Sequence, residues 1–150
     1  MAKTGQPPAL KLVLDTNIYM AAALNPDSLL YKIVKDSAAR QLAKYASSEA
    51  ILLELQHKLE TKFLFERRQV VTWINELRAT LEIVHPTQRL EVVTRDPDDN
   101  KVLECALEAG ADLIISADRD LLILKTYRDI KIMHPSSFKY VFPALGSEQQ

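Results

Sequence analysis

The chain has 150 residues, of which 47% are hydrophobic and 26% are charged, and its formal net charge at pH 7 is −1. This composition excludes a disordered chain and predicts one domain over residues 1–150, with an ordered core over about residues 10–142. The near-neutral charge excludes binding of nucleic acid through an overall positive field, so such binding would need local basic residues or metal ions.

The first half of the chain predicts short strands alternating with amphipathic helices. An apolar run at 10–14 predicts a buried strand, a helix-prone stretch follows at 16–24, and helical spacing predicts a further helix from residue 28 to about residue 38. The stretch 41–46 fits a strand or a helix. The other elements of this half are a helix from the N-cap at Ser47 and Ser48 to about Glu60, a helix over Glu66–Leu77 and a strand over Leu81–Val84.

The second half contains the clearest helix signal, over Asp99–Ala109, with Asp96 as a cap, Pro97 in the first turn and Gly110 as the stop. A buried strand at 113–115 follows at once. The last elements are a helix over Arg119–Lys125, a strand over Ile130–Met133 and a short helix capped by Ser136 and Ser137 that holds Phe138. The alternation indicates an α/β sandwich with a mostly parallel sheet.

Two aspartates follow predicted buried strands. Asp15 comes directly after the strand at 10–14, and Asp118 follows the strand at 113–115 after two intervening residues. Because sites in parallel sheets form beyond the carboxyl ends of the strands, we expect these two side chains to share one edge of the sheet.

Asp99 is predicted to point inward from its helix. It shares one helical face with apolar residues three, four and seven positions further on, whereas Glu104 and Glu108 fall on the opposite, solvated side. A buried carboxylate needs a partner, which a metal or a positive group would supply. The alternative is simple helix capping, a role that Asp96 or Asp98 also fits.

Glu54 lies within an apolar stretch of its helix, one turn before Lys58. It belongs either to a site or to a surface ion pair with Lys58, and the sequence does not separate these alternatives. The densest basic cluster is either a solvated helix connection or an RNA-binding lip, and consists of Lys58, Lys62, Arg67 and Arg68.

Several carboxylates at one site raise one another's pKa, so they cannot all ionise without a partner. A hard divalent cation such as Mg²⁺ or Mn²⁺ resolves this conflict, because it prefers oxygen ligands. Such an ion can activate a water molecule and neutralise charge on a leaving oxygen, which predicts phosphodiester cleavage. With no His or Cys in the cluster, zinc is not expected.

Two absences in the sequence concern redox chemistry and location. Cys105 is the single cysteine, so an intramolecular disulfide and a zinc site of several cysteines are excluded. The sequence has neither an apolar run of membrane-spanning length nor a secretory signal. We therefore expect a cytoplasmic protein without a membrane partner.

Four stretches, in this order and spacing, carry a family resemblance: Leu14-Asp15-Thr16-Asn17, the helical Glu54, Asp96-Pro97-Asp98-Asp99-Asn100, and Ser116-Ala117-Asp118-Arg119-Asp120-Leu121-Leu122. Together they resemble the PIN domain, and more closely the bacterial PIN proteins related to VapC, which are toxin components of toxin–antitoxin systems. The resemblance covers roughly Leu10 to Phe138, nearly the whole chain.

The resemblance implies a three-layer α/β/α sandwich with a mostly parallel central sheet and an endoribonuclease site that uses Mg²⁺ or Mn²⁺. The residues that match the catalytic acids of the family are Asp15, Glu54, Asp99 and Asp118. Of these, Asp15, Asp99 and Asp118 would be the main metal ligands. The matching support residues are Thr16, Asn17, Asp96, Ser116 and Asp120. Ser116 stands where many relatives have Thr, a change that keeps the hydroxyl group.

The same resemblance implies an RNA substrate, a cognate antitoxin protein and a homodimer. Two other functions fit the residues: a PIN-fold module that binds RNA or protein without turnover, and a metal-dependent phosphohydrolase acting on small molecules. The second is disfavoured because Asp15-Thr16-Asn17 lacks the second Asp of a haloacid-dehalogenase-type Asp-x-Asp pair.

Overall fold

The computed structural model describes residues 10–27, 31 and 43–137, which form an α/β sandwich around a six-stranded sheet. The strands are β1 (Leu10–Leu14), β2 (Ala43–Ser48), β3 (Glu82–Val84), β4 (Leu113–Ile115), β5 (Thr126–Tyr127) and β6 (Ile130–Met133). The α-helices in the described ranges are α1 (Thr16–Leu24), α2 (Glu49–Thr61), α3 (Arg67–Arg78), α4 (Asn100–Ala109) and α5 (Arg119–Leu122). Short 3₁₀ helices span Pro97–Asp99 and Pro135–Ser137.

The strand order β3-β2-β1-β4-β6-β5 creates a switch point at the centre of the sheet. All neighbouring strands pair in parallel except β5 and β6, which form an antiparallel hairpin. The winding reverses between β1 and β4, so a crevice forms beyond the carboxyl ends of these two strands. Leu14 pairs with Ile115 in this register, which sets the residues that follow, Asp15 and Ser116, side by side.

The hydrophobic core covers both faces of the sheet. Leu12, Val13 and Leu14 are all fully buried, as expected for a central parallel strand. Helix α1 packs against α2, α2 packs against α3, and α4 packs against β1 and β2. None of the helices in the described ranges is both long enough and apolar enough to cross a membrane.

Most of the predicted elements within the described residues are confirmed. The stretch that fitted either a strand or a helix is strand β2, which begins at Ala43. Ser48 caps α2 by accepting a hydrogen bond from the Ile51 amide at 3.4 Å. Glu66 is the cap of α3 rather than its first residue, and it forms a capping box with Gln69. The predicted helix from residue 28 to about 38 and Phe138 lie outside the described residues.

The prediction that a helix extends from Arg119 to Lys125 is wrong at its end, because α5 stops at Leu122. Beyond Leu122 the amides of Leu124 and Lys125 donate to carbonyls only three residues back, so the α-helical pattern is not continued. Lys125 then has a φ of 60°, in the left-handed region, and turns the chain into the β5–β6 hairpin. The apolar run after Arg119 has the pattern of a buried helical face, which is why a longer helix was predicted. Ile123 within that run is in fact 73% exposed.

An extended segment, residues 87–93, is fastened along α4 by side chains one turn apart. Asn100 accepts hydrogen bonds from the amides of Val92 and Val93 at 3.1 and 2.9 Å, and its Nδ2 donates to the Val93 carbonyl at 2.9 Å. Glu104 accepts from the Leu90 amide at 2.9 Å. Glu108 accepts from the amide and hydroxyl of Thr87 at 3.2 and 3.1 Å. Glu104 and Glu108 lie on the solvent-facing side of α4, as expected, and in addition they hold this segment.

Cys105 lies on the inward face of α4 and is fully buried. Burial raises the pKa of its thiol to about 12, so the thiolate form is absent near neutral pH. The residue therefore acts as a small apolar side chain of the core.

Candidate metal centre

Asp15 is placed by the central strand of the sheet. Its amide donates to the Ile115 carbonyl at 3.0 Å, which continues the β1–β4 pairing past Leu14. The side chain is only 4% exposed, and its Oδ2 accepts a 2.8 Å hydrogen bond from the Ser116 hydroxyl. The expected position of Asp15 at the carboxyl edge is confirmed.

Ser116 joins the two strand ends. Its Oγ donates to Asp15 and accepts a hydrogen bond from the Asp118 amide at 2.9 Å. Asp118 in turn accepts a 2.8 Å hydrogen bond from the Asp120 amide at its Oδ1, so it caps α5. One buried hydroxyl therefore fixes both Asp15 and the turn that carries Asp118.

Asp99 sits at the end of the 3₁₀ turn that leads into α4. Asp96 caps that turn, since its Oδ1 accepts a 3.2 Å hydrogen bond from the Asp98 amide. The side chain of Asp99 makes no capping hydrogen bond to α4, and the residue is only 6% exposed. Its Oδ2 is buried and has no hydrogen-bond partner among the described residues. The inward direction expected for this carboxylate is confirmed.

Three carboxylates converge on one point. One oxygen from each of Asp96, Asp99 and Asp118 lies within 4.8 Å of the other two. The sequence placed Asp15 with Asp99 and Asp118 as the main ligands. In the structure, the group of three contains Asp96. Asp15 lies outside this group, although it is near enough to raise the pKa of Asp99.

The electrostatics of this pocket favour a bound cation. Burial, followed by repulsion from Asp118, raises the pKa of Asp99 to about 8. Burial also raises the pKa of Asp15, with the charges of Asp118 and Glu54 acting in the same direction and the Ser116 hydrogen bond opposing them. An all-oxygen donor set with an unpartnered buried oxygen fits Mg²⁺ or Mn²⁺ and does not fit zinc.

Glu54 lies beside the pocket and is held by several donors. Its Oε2 pairs with Lys58 Nζ at 2.9 Å, while its Oε1 lies 3.5 Å from the donating Thr16 hydroxyl and 3.9 Å from Lys101 Nζ. Lys101 Nζ also lies 3.3 Å from Asp98 Oδ1. The ion pair with Lys58 is therefore present, and the Glu54 carboxylate also lies near enough to Asp15 to raise its pKa. A role of Glu54 in the site stays a prediction.

The other predicted residues are more exposed or less involved. Asn17 is exposed on α1, and Asp120 contributes its amide, rather than a carboxylate oxygen, to the hydrogen bonds of the site. Around the junction of α2 and α3, three of the basic candidates are exposed: Lys62, Arg67 and Arg68. The sequence-based predictions gave no role to Lys101, and none to Asn100 beyond its place in the motif; their position directly after three aspartates was the available signal.

Known proteins resemble this chain in sequence and in fold. A family model described as "PIN domain" matches residues 11–120. An uncharacterised protein of Methanocaldococcus jannaschii is 30% identical over 120 residues, covering 77% of this chain and 76% of that protein.

Solved structures share the fold at low sequence identity. A chain of VapBC2 from Rickettsia felis, bound to a DNA fragment from its promoter, matches with a TM-score of 0.62 and 16% identity, covering 83% of this chain and 98% of that chain. A chain of the DNA-bound VapBC from Salmonella typhimurium matches with a TM-score of 0.60 and 16% identity, covering 84% and 98%. Since the family model spans well over half of the sequence, the chain belongs to the PIN domain family.

Proposed function

We propose that this protein is a metal-dependent endoribonuclease and the toxin of a toxin–antitoxin pair. The observation that carries the proposal is the convergence of Asp96, Asp99 and Asp118 around a buried oxygen of Asp99 that has no partner among the described residues. Membership of the PIN family and the fold shared with chains of VapBC structures support the same function.

Asp99 and Asp118 would hold Mg²⁺ or Mn²⁺ together with Asp15, which approaches from the neighbouring strand end, and Asp96 completes the wall of the pocket. When bound, the cation supplies a water of lowered pKa and positive charge beside the leaving oxygen. Ser116 keeps Asp15 oriented through its 2.8 Å hydrogen bond, so the carboxylate is already in place before any ligand arrives.

The protein's own groups define where a phosphodiester can lie. Asp99 Oδ2 is the buried oxygen open to a cation or a proton, whereas both oxygens of Glu54 already face donors. A substrate phosphate would therefore approach over the group formed by Asp96, Asp99 and Asp118, with Lys58 and Lys101 at its edge.

The proposed partners are an RNA substrate, a cognate antitoxin and a second copy of the chain in a homodimer. We also propose that the chain forms one domain and is located in the cytoplasm. The antitoxin is proposed because the VapBC structures share this fold. The homodimer stays a prediction, which the mass of the purified protein in solution would test. The single domain also stays a prediction, and one cooperative unfolding transition would support it.

The function is tested by the variant Asp99→Asn. We expect RNA cleavage to fall by about two orders of magnitude or more, because metal-held charge stabilisation is worth several kcal/mol. Asp129→Asn is the matched control, since Asp129 is exposed in the β5–β6 turn at the other end of the sheet, and it should cleave like the wild type.

The assay uses an RNA panel with Mg²⁺ or Mn²⁺, with and without a chelator. Cleavage by Asp99→Asn at the wild-type rate would contradict the proposal. Binding of RNA without turnover would support the binding module instead, and turnover of an aryl phosphate alone would support a small-molecule phosphohydrolase.

A further inference from the structure

We infer that Lys58 and Lys101 are the residues that contact the substrate phosphate, and that Glu54 positions these two lysines instead of binding metal. The inference rests on the proposed function, because it takes RNA as the polyanion that enters the pocket. It assigns a positioning role to an acid that the sequence pattern had grouped with the catalytic carboxylates.

The two oxygens of Glu54 are already engaged. Oε2 pairs with Lys58 at 2.9 Å, and Oε1 faces the Thr16 hydroxyl at 3.5 Å and Lys101 at 3.9 Å. Asp99, by contrast, keeps a buried oxygen with no partner among the described residues. Glu54 is also absent from the group of acids whose oxygens lie within 4.8 Å of one another. The geometry therefore distinguishes Glu54, whose carboxylate faces two lysines, from the three aspartates whose oxygens converge.

The two lysines reach Glu54 from different helices. Lys58 belongs to α2, one turn after Glu54, whereas Lys101 belongs to α4 and also pairs with Asp98 at 3.3 Å. A solvated ion pair within one helix would explain Lys58 alone. It does not explain why a second ammonium from another element approaches the same carboxylate.

Lys58 borders the acidic pocket itself. Although burial lowers the pKa of its ammonium, the hydrogen bond to Glu54 and the charges of Asp15 and Asp96 raise it by more. The side chains of Lys58 and Lys101 are 25% and 37% exposed, so both can meet an incoming anion. An ammonium has three donors, and it can keep one on Glu54 while giving another to a phosphate oxygen.

The net charge of the chain favours a role for such local cations, beside any bound metal ion. RNA approaching a cluster of carboxylates is repelled, and a protein of net charge −1 offers no overall attraction. Lysines held at the edge of the cluster supply that attraction where the phosphate must lie.

The first test measures Mn²⁺ binding by electron paramagnetic resonance, without RNA. The double variant Glu54→Gln with Lys58→Met keeps the net charge of the pocket, and we expect it to bind Mn²⁺ within a few-fold of the wild type. Asp99→Asn should lose about tenfold or more. If the charge-matched double variant loses as much affinity as Asp99→Asn, Glu54 is a ligand and the inference is wrong.

The second test measures the binding of a fluorescein-labelled oligouridylate by anisotropy over a range of NaCl concentrations. Ca²⁺, which takes the same oxygen ligands, replaces Mg²⁺. We expect Lys58→Met and Lys101→Met each to weaken binding and to reduce the slope of log K against log salt by about 0.7. Lys58→Arg should restore most of the slope, because it restores the charge.

Lys131→Met is the matched control for these variants. Lys131 is exposed on β6 beside Leu113, at the start of β4, and therefore at the end of the sheet away from the acids. Its substitution should leave the slope unchanged. Slopes for Lys58→Met and Lys101→Met equal to that of Lys131→Met would overturn the assignment.

The two proposals fail in different ways. If the protein cleaves no RNA, yet the lysine variants lose salt-dependent binding and the double variant keeps its Mn²⁺ affinity, only the ribonuclease activity is lost. If the wild type cleaves RNA and the lysine variants bind RNA with the wild-type salt dependence, the proposed role of the lysines is wrong and the proposed function stands. In steady-state cleavage, the lysine variants should raise KM more than they lower kcat.

Discussion

Asp99 has a buried carboxyl oxygen without a hydrogen-bond partner among the described residues, so its charged form is costly in the absence of a cation. Its pKa of about 8 means that the folded protein holds a proton here which the unfolded chain releases near the ordinary value of 3.8. In the metal-free protein, stability is therefore coupled to pH through this residue.

We predict that metal-free wild-type protein loses stability as pH rises from about 4 to about 8. In this window the folded state binds more protons than the unfolded state. The stabilisation that comes from protonated Asp99 is therefore complete below the pKa of the unfolded chain, and it is lost as the pH rises to the pKa of the folded protein. Asp99→Asn should remove this part of the pH dependence and be more stable than the wild type at the upper end, by about 1 kcal/mol. Urea unfolding in chelator over this range measures both effects.

Asp129→Asn again serves as the control and should keep the wild-type pH dependence, because Asp129 is exposed. A wild-type stability that rises with pH across the whole window would contradict the assignment to Asp99.

The positions of Asp15, Asp99 and Asp118 could be predicted because each depends on a local rule. Two of them follow buried strands, and the third belongs to the apolar face of its helix. The place of Asp96 in the group with Asp99 and Asp118, and the approach of Lys101 to Glu54, could not be predicted. These contacts join residues from separate elements, and the spacing within one element carries no information about them.

Helix α4 connects the acidic pocket to the rest of the fold. Its start carries Asp99, its inward face packs on the sheet, and Asn100 holds the end of the 87–93 segment that leads directly to Asp96. Since Asn100 and Asp99 are adjacent, the fastening of that segment and the geometry of the pocket depend on the same turn.

We predict that Asn100→Ala destabilises the protein by about 2 kcal/mol, because it leaves the buried amide of Val93 and its neighbour without an acceptor. RNA cleavage should fall as well, because the segment that leads to Asp96 loses its support. This fall in cleavage should be seen even at temperatures at which the variant is fully folded. Chemical denaturation and cleavage rates measure the two effects.

The comparison variant is Glu108→Gln, which keeps an acceptor for Thr87 at an exposed site and should change stability by less than about 0.5 kcal/mol. Equal stability of Asn100→Ala and Glu108→Gln would show that the fastening of the 87–93 segment contributes nothing.

Gly110 ends α4 with a φ of 65°, a conformation that residues with a side chain adopt at a cost. We predict that Gly110→Ala lowers the free energy of unfolding by about 1 kcal/mol. Gly110→Asn should cost less, because Asn tolerates this region. A Cβ at this position meets no atom within 4 Å, so a larger loss could not be attributed to a clash. Thermal unfolding of the two variants provides the measurement, and cleavage should remain unchanged.

The elements were predictable wherever a local signal marked both ends, as for α4 with its acidic turn and Gly110. Strand β2 remained ambiguous because its assignment depends on pairing with β1, a contact between distant parts of the chain. The end of α5 was missed for a different reason. The apolar run continues past Leu122 without a Gly or Pro, so the sequence carries no signal for the end of the helix or for the left-handed backbone of Lys125.

The complete pocket exists only when the whole sheet is assembled. Asp15 follows β1, Glu54 lies on α2, Asp99 precedes α4 and Asp118 follows β4, so folding must bring four distant segments together. A cation that binds this assembly and not the unfolded chain stabilises the entire molecule by mass action.

We predict that Mg²⁺ or Mn²⁺ raises the Tm of the wild type, with a gain of about 2.7 kcal/mol when the free ion reaches a hundred times its Kd. Asp99→Asn should show little of this gain, whereas Asp129→Asn should show all of it. Differential scanning fluorimetry with and without chelator is the measurement. An equal metal-induced shift in both variants would exclude Asp99 as a ligand.

The buried thiol of Cys105 can be used to measure transient opening of the native structure. With a pKa of about 12 and no access to solvent, this sulfur reacts with an alkylating reagent only while α4 is transiently lifted from the sheet. The same helix begins beside Asp99, so the alkylation rate follows how often the scaffold beneath the acids opens. Since the chain has one cysteine, a single mass shift marks the alkylated protein, and its fraction followed over time gives this rate without an engineered label.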